Sequence, residues 1–222
     1  MKQRFLAVVF GAAAMCVSIP AGAQTRVPGA SGPLVNLWYA GAFTGPSAVQ
    51  AFGPVLGAEV GIRAGHNLDL VAEGGWFQNA VSKSTFAAAG PIVAYLQATQ
   101  GKAVSSKVKA PTTFATAGAR WVFEGGGLRP YVIVAVGGAR VEIKSTFAID
   151  GADATSTIAQ KGVTLGQDLT GRSSHPAVTA GGGVLKAFGG CYLDVGYRLT
   201  SIVTTGQATN VNRLNVGFGI RY

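Results

Sequence analysis

The sequence predicts an all-β fold: eight antiparallel strands that run up and down and close into a barrel crossing a membrane. Three observations carry this. Strand-like segments alternate apolar with polar or glycine positions, short and long connections take turns between them, and 48% hydrophobic content comes without a helix-length apolar run after the N-terminus.

At the N-terminus, Lys2 and Arg4 precede an apolar stretch from Phe5 to Ile19, a break at Pro20, and Ala21-Gly22-Ala23 before Gln24. That is the layout of a secretory signal peptide with a small-x-small cleavage site, so residues 1–23 are expected to be removed and 24–222 to form the barrel domain. The apolar stretch falls short of the roughly 20 residues of a transmembrane helix. Met15 is too large to precede a lipobox cysteine, so Cys16 goes with the removed peptide. Cys191 is then the lone cysteine, read as a small apolar strand residue, and no intramolecular disulfide is expected.

Removing Lys2 and Arg4 from 18 basic residues leaves 16 against 9 acidic ones, a formal balance of +7. Export excludes nucleic acid as the partner of that charge, and 33 glycines with only 12% charged residues fit neither a disordered nor a nucleic-acid-binding chain.

The eight segments are roughly 33–43, 53–64, 68–79, 112–123, 129–147, 177–187, 191–204 and 211–222. Most approach the roughly 9 to 11 tilted residues that cross a bilayer. Gly65-His66-Asn67, Glu124 to Leu128, and Phe188-Gly189-Gly190 read as tight turns, since Gly and Asn supply positive φ. Thr44 to Phe52, Ala80 to Pro111, Ala148 to Pro176 and Thr205 to Asn210 read as longer connections. Short turns then face the periplasm, with both termini, and longer loops face outward.

Facing can be read segment by segment. In the second, Leu56, Ala58, Val60 and Ile62 oppose Gly57, Glu59, Gly61 and Arg63; in the third, Leu68, Leu70, Ala72 and Trp76 oppose Asp69, Glu73, Gly75 and Asn79. In the fourth, Ala115, Ala117, Ala119, Trp121 and Phe123 oppose Thr116, Gly118 and Arg120. In the seventh, Leu193, Val195, Tyr197 and Leu199 oppose Asp194, Gly196 and Arg198; the sixth, with three successive glycines from Gly181, gives no facing. The eighth puts Leu214, Val216, Phe218, Ile220 and Tyr222 on one face, an aromatic-ended pattern read as the signal to the barrel assembly machinery. Alternation alone does not say which face meets lipid. The polar face decides it, because charges of both signs interspersed with glycine suit a narrow lumen. Trp38, Tyr39, Trp76, Trp121, Phe123, Tyr131 and Tyr222 are then expected as interfacial girdles.

These segments resemble the small eight-stranded outer-membrane barrels grouped with OmpA transmembrane domains and opacity-type proteins. The resemblance rests on "GAEVGIRAGHNLDLVAEGGWFQNA", "LRPYVIVAVGGARVE", "YLDVGYRLTSI" and "VNRLNVGFGIRY". It implies a monomer in the outer membrane of a diderm bacterium, with membrane lipid and lipopolysaccharide around it; no peptidoglycan-binding domain accompanies the barrel, so an anchoring role does not carry over.

Glu59, Arg63, Asp69, Glu73, Arg120, Arg140, Glu142, Asp194, Arg198, Arg213 and Arg221 are expected in the lumen as a salt-bridge network. The alternative is a narrow channel for small solutes or ions, and Glu59 and Glu73 on paired strands could line it. A lipid-modifying enzyme is the second alternative, with His175 beside Ser173-Ser174 and near Asp168. Neighbouring serines do not readily serve an adjacent histidine, so no catalytic residue is expected; His66 reads as a turn residue. Neither metal-ligand nor phosphate-loop spacing occurs, so no metal or cofactor is expected, and Asp150 with Asp153 read as a solvated loop. Lys83, Lys102, Lys107 and Lys109, in a connection without an acidic residue, form a candidate basic patch toward lipopolysaccharide phosphates. The expected role is structural or interactive, toward an unknown surface ligand.

Overall fold

The structure is a computed structural model describing residues 38–49, 52–124, 127–166, 169–204 and 207–221. The predicted signal peptide, Asp168 and Tyr222 lie outside them.

Eight strands close a ring: β1 (Trp38–Ala48), β2 (Phe52–Arg63), β3 (Leu68–Phe77), β5 (Thr112–Val122), β6 (Arg129–Ile149), β8 (Thr170–Phe188), β9 (Cys191–Thr204) and β10 (Gln207–Arg221). Every pairing is antiparallel. β10 closes on β1 with Ile220 opposite Ala40, and β6 pairs β8 through Ala135 opposite Thr179. No helix among the described residues is long and apolar enough to cross a membrane; the crossing is made by strands.

The barrel is apolar outside and polar within. Val134 and Val136 on the outer face of β6 are 59% and 62% exposed, whereas Arg120, Arg198 and Arg213 are 1% exposed or less. Exposed valines around buried arginines make sense only with lipid as the outer solvent.

Two of the predicted long connections are not loops. β1 runs on to Ala48 opposite Phe52, and β10 starts at Gln207 opposite Thr204, so strand pairing takes up most of both stretches. The other two long connections fold. Ala80 to Pro111 holds helix α1 (Lys83–Gln100) and β4 (Val104–Lys109), which pairs the upper part of β6. Ser82 caps the helix, its hydroxyl accepting from the Thr85 amide at 3.1 Å, and Gly101 ends it at φ 62°. Ala89, Ile92, Val93 and Leu96 form one helical stripe, spaced 3, 4 and 7 residues along. That stripe packs on Val104, Val108, Phe147 and Leu169, and on Ile158 and Val163 of the connection from β6 to β8, which also carries β7 (Ala152–Asp153). The result is a folded cap standing on one side of the rim.

Candidate functional site

The mid-lumen gathers three carboxylates and three guanidinium groups. Hairpin register puts Glu59 opposite Glu73 across β2 and β3, and Arg213 opposite Arg198 across β10 and β9. Each side chain points inward by strand parity, so both signs meet on the axis. Arg120 donates to Glu59 at 2.5 Å. Glu73 accepts from Arg213 and, at 3.2 Å, from the Nε of Arg198. Tyr131 donates to Asp194 at 2.6 Å while accepting from Arg198 at 2.9 Å. Aromatic faces complete the shell: Arg120 lies 5.0 Å from the Tyr39 centroid, and Arg213 4.8 Å from that of Phe114. Gly183 and Gly196 leave the gap, since a methyl group on either would sit about 2.5 Å from the Tyr131 hydroxyl, at 2.6 and 2.5 Å.

Toward the outer rim an apolar layer follows, with Phe77 stacked on Phe114 at 4.6 Å beside Val55, Ala139, Ile202 and Val211. Val141 packs against both this layer and the cap core, so apolar packing continues from lumen to cap. Ion pairs and apolar layer thus occupy successive levels of the lumen. At the periplasmic end, Arg63 pairs Asp69, and Arg221 faces the same mouth.

Nine of the eleven expected lumen charges therefore point inward. Arg140 and Glu142 are corrections: both lie on the outer face of β6, with the parity of Val132, Val134 and Val136. Past Gly138 the strand has left the apolar belt, so its outer face meets water and takes charge. The Glu142 carboxylate accepts from Lys144 and from Arg172, each at 3.1 Å, and these bonds hold it below the usual carboxylate range. Tyr39 and Tyr131 are a second correction. Expected in the girdles, they point into the lumen, Tyr131 being 2% exposed. Trp38, Trp121 and Phe123 are exposed on the outside. Sequence reasoning also missed Arg129, which shares the parity of Tyr131 and lines the periplasmic mouth.

The expected basic patch is divided. Lys83 starts the helix, and Lys102 pairs Asp150 at 3.2 Å. Lys107 and Lys109 stand on the outer face of β4, where register adds others: Lys109 opposite Lys144, Glu142 opposite Arg172, and Arg140 opposite Ser174. Among the described residues five cations thus share one sheet face with two carboxylates, Glu142 and, farther up, Asp153 opposite Ala148. Within the cap loop, the Thr155 hydroxyl and amide hold the Asp153 carboxyl low.

His175 is 2.8 Å from the Ser173 hydroxyl. Among the described residues the only histidine–carboxylate pair is His66 with Glu124, which links two periplasmic turns. Cys191 opens β9 on its outer face, half-buried.

No protein-family model and no curated protein sequence matches the chain. Solved structures do. Neisserial surface protein A superposes with a TM-score of 0.51 at 15% identity, covering 84% of this chain and 96% of that one. The N-terminal β-barrel domain of Pseudomonas aeruginosa OprF gives 0.48 at 16% identity, covering 85% and 98%. Ail of Yersinia pestis gives 0.43 at 9% identity, covering 84% and 97%. The closed ring of eight strands, its apolar exterior and the first of these matches agree: this chain has the fold of the small eight-stranded outer-membrane β-barrels.

Proposed function

We propose that this protein is a non-conducting, non-catalytic outer-membrane barrel whose work is done by the cap it holds above the bilayer, through lipopolysaccharide phosphates bound on the cap's cationic outer face. The observation that carries the reading is the placement of Lys107, Lys109, Lys144, Arg140 and Arg172 immediately beyond the apolar belt, where five cations outnumber the carboxylates Glu142 and Asp153 among the described residues. Cross-strand neighbours stand about 5 Å apart, close enough for two cations to share one phosphate. Arg140 also borders a depression floored by Gly138, Ser174 and Pro176, which offers the headgroup a seat at the lipid boundary. The ion pairs and apolar side chains stacked at successive levels of a narrow lumen support a role without conduction. The same reading takes residues 1–23 as the export signal and the final strand as the assembly signal.

The test is lipopolysaccharide binding by the barrel in neutral nanodiscs. K107A/K109A/K144A/R172A is expected to lose salt-sensitive binding, and K83A/K102A to keep it. Equal loss in both variants, or unchanged binding in the first, overturns the reading.

A further inference from the structure

We propose that the periplasmic mouth of the barrel is a dead-end binding pocket for a phosphate-class oxyanion. A cavity of about 40 Å³, open at its rim, is walled by Arg63, Arg129 and Arg221 and floored by Arg120. Asp69 is the one carboxylate on its walls, and Arg63 takes it; Arg120 is taken by Glu59. Arg129 and Arg221 are left without a carboxylate in ion-pair range among the described residues. Three guanidinium groups thus converge on one concave space, with a surplus of two positive charges among the described residues.

A second observation points the same way. Arg120 is 1% exposed, yet its Nε and Nη1 have no hydrogen-bond partner. Buried donors left unmade are costly, the more so on a charged group, and a ligand oxygen at the cavity floor would relieve them. Two guanidinium forks and a doubly negative phosphate match in charge and in bidentate geometry. The rings of Tyr39 and Tyr192, packed edge to face at 5.7 Å, and the side chain of Leu185 exclude water from one flank. Above the floor stand the Arg120–Glu59 pair and the apolar layer, so the anion enters and leaves only from the periplasm.

The test titrates inorganic phosphate into the protein in neutral detergent, following amide and arginine side-chain resonances. Saturable shifts are expected at Arg129, Arg221 and Tyr192, with acetate binding about tenfold weaker at equal ionic strength. R129Q/R221Q should weaken phosphate binding about tenfold or more, and K186Q, an outward-facing cation on β8, should not. If the double variant fails to fold, the shift map of the unmodified protein and its acetate comparison decide. A repeat in nanodiscs of phosphatidylcholine, with and without phosphatidic acid, identifies the source: competition by phosphatidic acid assigns the site to a lipid headgroup, and its absence to free phosphate. Unsaturable shifts, shifts confined to the outer patch, equal binding of acetate, or unchanged binding in R129Q/R221Q overturns the proposal.

Discussion

The lower and upper parts of β6 use one alternation for opposite ends. Below Gly138, Val132, Val134 and Val136 face out into the apolar belt, and Tyr131 faces in toward Asp194 and Arg198. Above it, Arg140, Glu142 and Lys144 face out, and Ile143 and Phe147 face in against α1 and its loop. Parity never changes along the strand; the solvent outside does. In the membrane the barrel is an inverted globule, polar within; beyond the lipid the same sheet becomes ordinary, apolar within.

The comparison breaks first, and most, at the buried ion pairs. Arg198→Ala leaves Asp194 and part of Glu73 uncompensated, and urea unfolding in lipid should show about 3–5 kcal/mol lost. A loss below about 1 kcal/mol would mean that the mid-lumen is hydrated enough to screen the charges. Next comes Phe147→Ala, at a side chain with 0% exposure, which should cost about 3–5 kcal/mol, confined to the cap. Its readout is protease cleavage within residues 80–111 while the barrel keeps its heat-modifiable migration on a gel. Loss of both together would show that cap and barrel fold as one unit.

A smaller effect tests the change of solvent directly. Val134→Arg at mid-belt should cost about 2–4 kcal/mol, whereas Thr146→Arg, with the same outward parity twelve residues along β6, should stay within about 0.5 kcal/mol. Equal costs would put Thr146 in lipid and remove the upper half of the comparison. The smallest effect is acidic. Glu142 has its carboxyl pKa depressed in the folded state, so its contribution is fully present above the unfolded value of about 4.3 and is lost as pH falls through the lower folded value. Amide protection in the upper half of β6, taken relative to the intrinsic exchange rate at each pH, should accordingly be steady from neutral to about pH 5 and lower below about pH 4, and Glu142→Gln should flatten that dependence.

What could be read in advance follows the same divide. The strands with charge on one face and apolar residues on the other, β2, β3, β5 and β9, were legible because lipid and lumen demand different chemistry. Strand β6 was not, since Tyr131, Ile133 and Ala135 are as apolar as the valines they alternate with, and Arg140 and Glu142 then took the wrong side. The cap was written in the chain in helical terms: Ser82 three residues before Thr85, the stripe from Ala89 to Leu96, and Gly101 as the stop. Searching only for period two passed over it. Arg129 carried one usable signal, its even spacing from Tyr131, and that helped only once Tyr131 was known to face the axis.

The unequal strand lengths give the molecule a tall side and a low one. β6 has 21 residues and β8 19, against 11 in β1 and 12 in β2. From Arg140 onward β6 rises roughly 25 Å beyond the belt, allowing for strand tilt. The molecule is thus a lopsided post, with the β4 and α1 layer on its tall side. The tall flank therefore holds most of the surface that stands clear of the lipid.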